Sequence, residues 1–502
     1  KYAQADNFIQ TATGTLEIGL FSDATLGEDS APIMSYSQLR TNNASFADDS
    51  TIAVNVLTLS ENQGLLSGQT LENVVTANNS LTMDGTLNIT DNSALLNFEY
   101  FTSASSDVNS TFTNGEDGAI HLQVVDGQTI LASSIAGDGD TNTQSAAAVL
   151  DTIQDGDYPT MDPVFTALNT LPTDAAVAQA VASTTPVAAT ASTGATRQIS
   201  TGVQRIVEMR QRANIGEGLN SGAEVFGEKN LWIKPFASFG NQANKDGMNG
   251  FDVNTAGLGL GMDAEYASNQ KIGLALFYTK AYVDVNNMAQ SSDLGVFSTL
   301  VYGNIPLLDD KTNFLYQLGY AWQKTDSSRH ISLAGSTANA DYTTNTASVD
   351  LKVIRDYQVS KKLLLQPMVE ATYRNFMSPD YAETGAGVLN LHSDKFSTDE
   401  LIIGVGTLAH LKLDKDSKLI ANVNVGYDTY NKEGIVTSSY EGASGVLFET
   451  NGIDNGRWSY DLGLGYEKDV EEGHNINFSY NYQGEGSTFK NHVLSAKYVF
   501  SF

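Results

Sequence analysis

The stretch FKNHVLSAKYVFSF, residues 489–502, decides the fold. In an extended chain Leu494, Ala496, Tyr498, Phe500 and Phe502 share one face, and Ser495, Lys497, Val499 and Ser501 share the other. One face suits lipid and the other suits water. An ordinary edge strand has no need of an apolar outward face, and natural edges carry charge to prevent pairing. The pattern is that of a strand crossing a membrane.

Working outward from it, residues 229–502 alternate almost throughout. Candidate strands lie near 229–240, 253–267, 270–285, 292–306, 312–328, 340–357, 362–377, 397–413, 417–431, 457–468, 473–484 and 489–502. An even number of long strands is what bacterial outer-membrane barrels use. Leu258, Leu260, Met262, Ala264 and Tyr266 face one way, and Gly257, Gly259, Gly261, Asp263 and Glu265 the other. Around 460, Trp458, Tyr460, Leu462, Leu464 and Tyr466 oppose Ser459, Asp461, Gly463, Gly465 and Glu467. A soluble sandwich fills its core mainly with aliphatics. Here the apolar face is rich in Tyr and Trp towards strand ends, as an interfacial girdle requires.

Composition agrees with this reading. No run of about 18 apolar residues occurs, which excludes a helical span, whereas alternation dilutes a barrel to near-neutral hydropathy. The charged fraction is 17%, with 44 Gly, 21 Phe and 22 Tyr. Of the basic side chains only 2 precede residue 196, against 23 acidic ones. Nucleic-acid binding by that acidic part is therefore not expected. With no cysteine there is neither a disulfide framework nor a thiolate metal site. The chain opens at Lys1 without a basic-then-apolar leader, which fits a processed or partial chain.

Residues 1–135 carry short apolar runs between polar turn clusters: TGTLEIGLF, STIAVNVLTL, NSLTMDGTLNIT, SALLNFEYF and GAIHLQVV. Such runs suit the rungs of a parallel β-helix, and an antiparallel sandwich would give similar ones. Helical signals follow at 146–153, 164–171 and 174–183 within a helical, Ala-rich linker spanning 136–195. Asp138 and Asp140 lack calcium-loop spacing and read as a loop that caps the next helix. TTPVAATASTGAT (184–196) reads as the end of that linker.

A further helix is expected over 196–213, within a luminal helix and connector of 196–228. Ile199, Val203, Ile206 and Val207 form its apolar side, and it carries Arg197, Arg205, Arg210 and Arg212. At about 1.5 Å per residue it spans about 27 Å, close to a bilayer core. It is too charged to face lipid and suits a polar lumen. There Arg197, Arg205 and Arg210 are expected to plug the pore, held by Asp263, Glu265, Glu370, Asp461 and Glu467, with small glycines leaving space beside them.

The arrangement resembles the C-terminal part of type V autotransporters. The resemblance rests on LNTLPTDAAVAQAVASTTP, RQISTGVQRIVEMRQR, the strand NLWIKPFASFGNQ, the hairpin strand GLGLGMDAEY, GVLFETNG, LGLGYE and the aromatic end, in that order. It implies an all-β fold: a twelve-stranded transmembrane antiparallel β-barrel with a luminal α-helix, preceded by part of a parallel β-helix. It also implies an outer-membrane translocator, monomeric, that secretes and anchors its own passenger. Outer-membrane lipids, the barrel assembly machinery and periplasmic chaperones would be its partners. Tyr498, Phe500 and Phe502 would form the assembly signal. Relatives that sever themselves in the pore do so at an Asn–Asn step; only Asn214 and Asn220 stand here, so the passenger is expected to stay attached.

Chemistry is sparse. The first 195 residues hold one histidine, His121, in the strand AIHLQVV, where a strand residue with a satisfied ring is the better reading than a base. No nucleophile motif occurs, and the six histidines are dispersed. No enzyme activity, cofactor or metal is expected. The passenger reads as an adhesin if it binds anything, and a porin carrying a separate N-terminal domain is the rival. Replacing Phe502 by Ser should lower the yield of folded barrel, read as heat-modifiable gel mobility; an unchanged yield would remove the terminal aromatic as a signal.

Overall fold

The computed structural model describes residues 2–26, 32–56, 67–104, 108–215, 229–307, 309, 311–471 and 474–501. Phe502 lies outside them. Twelve long strands form one antiparallel barrel: β1 (Lys229–Gln242), β2 (Phe251–Ala267), β3 (Gln270–Val285), β4 (Gln290–Leu307), β5 (Thr312–Ile331), β6 (Ser336–Arg355), β7 (Leu363–Ser378), β8 (Phe396–Lys412), β9 (Ser417–Asp428), β10 (Trp458–Glu471), β11 (His474–Glu485) and β12 (Phe489–Ser501). Each pairs with the next, and β12 returns to β1, Leu231 opposite Phe500 and Phe239 opposite His492. Closure leaves no edge, the condition for strands in hydrocarbon.

Parity follows the pattern read from the sequence. Leu258, Leu260, Met262, Leu318, Tyr320, Trp322, Leu462, Leu464, Leu494, Tyr498 and Phe500 are exposed on the outer face. Aromatic residues mark both rims, with Tyr427 and Trp458 at one and Tyr266, Tyr498 and Phe500 at the other. The connections at the rim of Tyr266 are short. The longest connections are at the opposite rim, where residues 379–395 and 429–457 carry a small sheet of their own (Tyr381–Ala382, Leu391–Ser393, Ile435–Tyr440, Phe448–Asn451). In outer-membrane barrels the long loops lie outside the cell.

On the lumen face of β1–β5, aromatic rings lie flat over glycines of the neighbouring strand. Trp232 covers Gly261 so closely that a Cβ there would stand 2.2 Å from ring atoms, and Tyr302 covers Gly273 likewise at 2.4 Å. Of the glycines expected to leave space beside the arginines, Gly257 is filled by Phe236, Gly259 by Phe277 and Gly463 by the Asn422 and Asn481 amides, while a Cβ at Gly465 would meet nothing nearer than 3.3 Å. For Gly257 and Gly259 the reason is the apolar stripe of the helix, which needs an apolar wall.

Four short helices precede that long one: α1 (Ile130–Ala136), α2 (Thr141–Gln154), α3 (Asp162–Asn169) and α4 (Asp174–Ala182). Thr129, Asp140 and Thr173 accept from Ala132 N, Thr143 N and Ala176 N, ordinary N-caps. Asp140 thus has the capping role expected of it. α1 lies in a region read as strands; its seven residues carry little periodicity, and the Asp151 carboxylate of α2 secures its first turn by accepting from Ile130 N and Leu131 N at 2.8 and 3.0 Å. Leu150, Phe165, Leu168 and Val181 pack with Leu391, Tyr440 and Phe448 of the long loops in one buried cluster.

The fifth helix, α5 (Val187–Ile215), begins well before the expected residue 196. The segment read as the end of a linker is helical because its small polar side chains satisfy themselves. Thr190, Ser192, Thr193 and Thr196 donate to the carbonyls of Val187, Ala188, Ala189 and Ser192 at 2.7–3.2 Å. Pro186 stands just ahead of the first turn, where its missing N–H costs nothing. Twenty-nine residues give about 44 Å of helix.

Upstream, strands Tyr2–Gln10, Gln38–Phe46 and Thr70–Met83 pair in parallel, as do Thr15–Leu26, Thr51–Asn55 and Asn88–Asp91. Equivalent positions recur 36 or 37 residues apart, and amides stack at that spacing: Asn43 donates to Asn7 at 2.9 Å and Asn92 to Asn55 at 3.0 Å. Ile18, Leu20, Phe46, Ile52, Val54 and Leu81 fill the space between the two sheets. Strand Gly118–Asp126 then pairs antiparallel with both Thr70–Met83 and Leu96–Ser103 and ends the parallel run.

His121 sits in that last strand, fully buried and stacked on Phe101 at 4.8 Å. Its Nδ1 accepts from Asn73 N at 3.0 Å, so the proton resides on Nε2, which faces Ser103 Oγ at 2.7 Å. That tautomer is the wrong one for drawing a proton from Ser103.

Two predictions follow from the packing. Gly261→Val should cost about 1–3 kcal/mol by overpacking against Trp232, read as a lower midpoint of heat-modifiable mobility, with Gly295→Val, whose Cβ would meet nothing nearer than the Tyr278 hydroxyl at 3.8 Å, costing less. Burial holds the His121 pKa below its ordinary value, with the Glu72 carboxylate opposing weakly. Below about pH 6.5 the unfolded chain therefore binds a proton that the folded one refuses, and stability falls as pH drops, by at most about 1.4 kcal/mol per pH unit. Hydrogen exchange of residues 70–126 at pH 7 and 5 should show this loss, and His121→Gln should flatten it.

Candidate functional site in the barrel lumen

Helix α5 leans on β1–β5. Ala191, Ala195, Ile199, Val203, Ile206 and Val207 share a buried cluster with Trp232, Phe277, Val296 and Leu300. Its other side faces polar residues of β6–β11 across a cavity of about 100 Å³ lined by Gln198, Arg205, Glu208, Glu370, Asp461 and Glu485 among others. The lumen thus holds one helix, with a polar cavity beside it large enough for water.

Near the lower end, Arg210 makes a fork with Asp263: Nε to Oδ2 at 2.8 Å and Nη2 to Oδ1 at 2.9 Å. Asn230 donates to Oδ1 at 3.1 Å, Tyr302 to Oδ2 at 2.9 Å, and Trp232 Nε1 to the Tyr302 oxygen at 2.9 Å. Both charges are at least nine-tenths buried. Such a pair is tolerable in a dry site because its polar atoms are matched, and removing one partner typically costs about 3–5 kcal/mol.

Two residues earlier, on the other side of the helix, Glu208 is the hub. Its Oε2 accepts from Arg205 Nη1 at 2.6 Å and Lys352 Nζ at 2.8 Å, while Oε1 lies 2.9 Å from Arg212 Nη2. Arg205 reaches Asp461 Oδ1 at 2.6 Å, and Lys352 also reaches Glu370 at 2.6 Å and Asp350 at 3.3 Å. Higher up, Glu400 lies 3.4 Å from Arg197 and 2.7 Å from Arg374, and Arg374 donates to Gln204 Oε1 at 2.9 Å. Gln211 donates to the carbonyls of Gly303 and Tyr316 at 2.7 and 3.0 Å.

Of the residues singled out in the sequence, Asp263 and Asp461 face arginines of the helix. Glu370 meets Lys352 instead. Glu467 binds Lys418 at 2.7 Å and lies 3.8 Å from Lys497, all on barrel strands. Glu265, by contrast, is half-buried at the short-turn rim, where it accepts from Asn269 N at 3.0 Å; parity was right, but the strand has by then passed the end of the lumen network. Tyr498 and Phe500 stand on the outer face, the Tyr498 hydroxyl 2.5 Å from His474 Nδ1. Glu208, Lys352, Arg374 and Glu400 were missed as members. Their signal was present: each is a charge at an inward position, and Glu208 is the one carboxylate within the arginine helix.

The autotransporter β-domain family model matches residues 231–481. An extracellular serine protease of Serratia marcescens is 24% identical over 218 residues, 42% of this chain and 20% of that protein. Outer membrane protein B of Rickettsia japonica is 27% identical over 186 residues, 35% of this chain and 11% of that protein. The chain therefore spans a fifth or less of these relatives. Among solved structures, the translocator domain of the autotransporter NalP from Neisseria meningitidis aligns at TM-score 0.47 and 14% identity, covering 60% of this chain and 98% of that one. The alternating strands, the closed twelve-stranded barrel and the family match converge: the chain belongs to the autotransporter family, and its barrel is an outer-membrane translocator β-domain.

Proposed function

We propose that this chain secretes and anchors its own passenger at the cell surface, with α5 as the plug left in the pore once export is complete. The observation that carries this is the buried fork between Arg210 and Asp263 on one wall, with Arg205 bound to Asp461 and Glu208 to Lys352 on the opposite wall. Arg197, Arg205 and Arg210 hold the plug, received by Glu400, Asp461 and Asp263, and Glu208 ties Arg205 to Lys352 and, through it, to Glu370.

Residues 1–135 are the end of a β-helical passenger with an autochaperone-like role; their parallel ladders support this reading. The helical segment up to residue 186 links them to the plug. The role is non-enzymatic, in keeping with the tautomer of His121. An adhesive passenger is favoured over a catalytic one. The barrel works as a monomer in outer-membrane lipid, delivered by periplasmic chaperones and the barrel assembly machinery, and it has no nucleic-acid partner.

Replacing Arg205 and Arg210 by Glu should place like charges against Asp461 and Asp263, loosen the helix, raise single-channel conductance and open residues 196–213 to protease. Asp263→Lys in that background should partly restore closure. Conductance unchanged by the double substitution would reject the plug.

A further inference from the structure

The joint between α4 and α5, residues 183–188, lies where the chain enters the barrel from the long-loop side. Three buried polar side chains from separate barrel elements converge on it, one of them backed by a fourth. Arg329, near the outer end of β5, donates through Nη1 to Ser183 O at 3.0 Å and through Nη2 to Leu389 O at 3.0 Å, and it forms a two-pronged pair with Glu383 of the 379–395 loop. Glu383 in turn accepts from Leu391 N at 2.9 Å. The Tyr440 hydroxyl of the 429–457 loop lies 2.6 Å from Thr184 Oγ1. Gln290, at the first position of β4, uses both amide atoms: Oε1 accepts from Ala188 N at 3.1 Å and Nε2 donates to Thr185 O at 2.9 Å.

Arg329, Glu383, Tyr440 and Gln290 are all more than nine-tenths buried. Their targets on the joint are mostly backbone groups, and a helix entrance leaves such groups open. Gln290 supplies the acceptor that the first-turn N–H of Ala188 lacks within its own helix, as a capping residue would. Arg329 likewise takes up a carbonyl at the end of α4. The collar therefore recognises a break between two helices at one place in the chain. Neither a continuous helix nor an extended strand passing through the mouth presents that set of groups.

We propose that this collar is the stop that sets where export halts, fixing the register of α5 in the lumen and gripping the exported chain against retreat. The proposal rests on the translocator reading above and adds the residues that decide the stopping point. The helices α1–α4 with their shared core are wider than a lumen that α5 alone occupies, so they assemble on the loops only after passing through it. The collar sits directly beneath that assembly, with Tyr440 belonging to both. The lumen ion pairs then hold the plug once its register is set.

The chain has no cysteine, so register can be read by cross-linking in the full-length protein. A Cβ at Gly434 of the 429–457 loop would stand 3.8 Å from Thr193 Cβ on α5, the spacing of a disulfide, and cysteines at both positions should form one when α5 is in register. In cells displaying the otherwise unaltered chain, the disulfide should form and residues 183–188 should resist added protease. Arg329→Met with Glu383→Leu removes the buried pair without leaving one charge alone. Gln290→Leu removes the helix-entrance contact and leaves every charge in place.

In both variants the barrel should remain heat-modifiable. The disulfide should be largely lost, and cleavage within 183–188 should rise about tenfold, the factor that goes with losing one or two buried hydrogen bonds. Retention of the disulfide and of protease resistance in Gln290→Leu, or in the double variant if it folds, overturns the collar and leaves export itself standing. Absence of residues 2–126 from the cell surface in the unaltered background overturns the export reading, and this proposal with it.

Discussion

Every backbone amide and carbonyl in a hydrocarbon layer needs a partner within the protein, and for strands only a closed sheet provides it. Closing twelve strands determines the rest of this molecule. The pleat sends alternate side chains outward to lipid and inward to a lumen whose width follows from strand number. That lumen takes one helix. Whatever is attached to the helix must therefore lie beyond the rims, and the long loops on one side provide the surface on which it folds.

Within the lumen two kinds of wall face the helix. Along β1–β5, aromatic rings laid over glycines make a smooth apolar surface for Ile199, Val203 and Val207. Along β6–β11, charges and amides leave a narrow polar cavity. An amphipathic helix has one best orientation against such a barrel. The apolar wall supplies contact area, and the ion pairs select rotation and height. In a weakly screened site a buried arginine is costly unless matched, so a misplaced helix carries a larger penalty than it would in water. Glu208 reduces that penalty from within, lying against Arg205 and Arg212 on its own helix and Lys352 on the wall.

The family relationship and the lumen geometry bear on different parts of the chain. The β-domain match covers barrel strands, and the aligned segments make up 20% and 11% of the relatives' own length. What the chain shares with its family is the barrel, whose alternating faces are set by lipid on one side and the lumen on the other.

The alternation of residues 229–502 by itself determined the strand count, with limits within a few residues of those observed, and the outward or inward direction of each side chain, because a period of two is local to the backbone. It also placed Asp263 and Asp461 inside, and the arginine spacing on 196–213 made a polar-lumen helix legible. Height along the barrel axis was not legible. Glu265 has the parity of Asp263 yet lies beyond the network, since depth depends on strand tilt and on where the helix stops, both set by closure. The start of α5 was hidden for a related reason. Thr190, Ser192, Thr193 and Thr196 have low intrinsic preference for helix, and only a confined lumen, with Gln290 at the entrance, makes their backbonded helical form the better one. Pairing of charges across the lumen, such as Glu208 with Lys352 or Arg205 with Asp461, joins residues 144 and 256 apart in sequence. Tertiary structure alone brings them within reach, because the sheet must curve through a full turn before its inward faces meet.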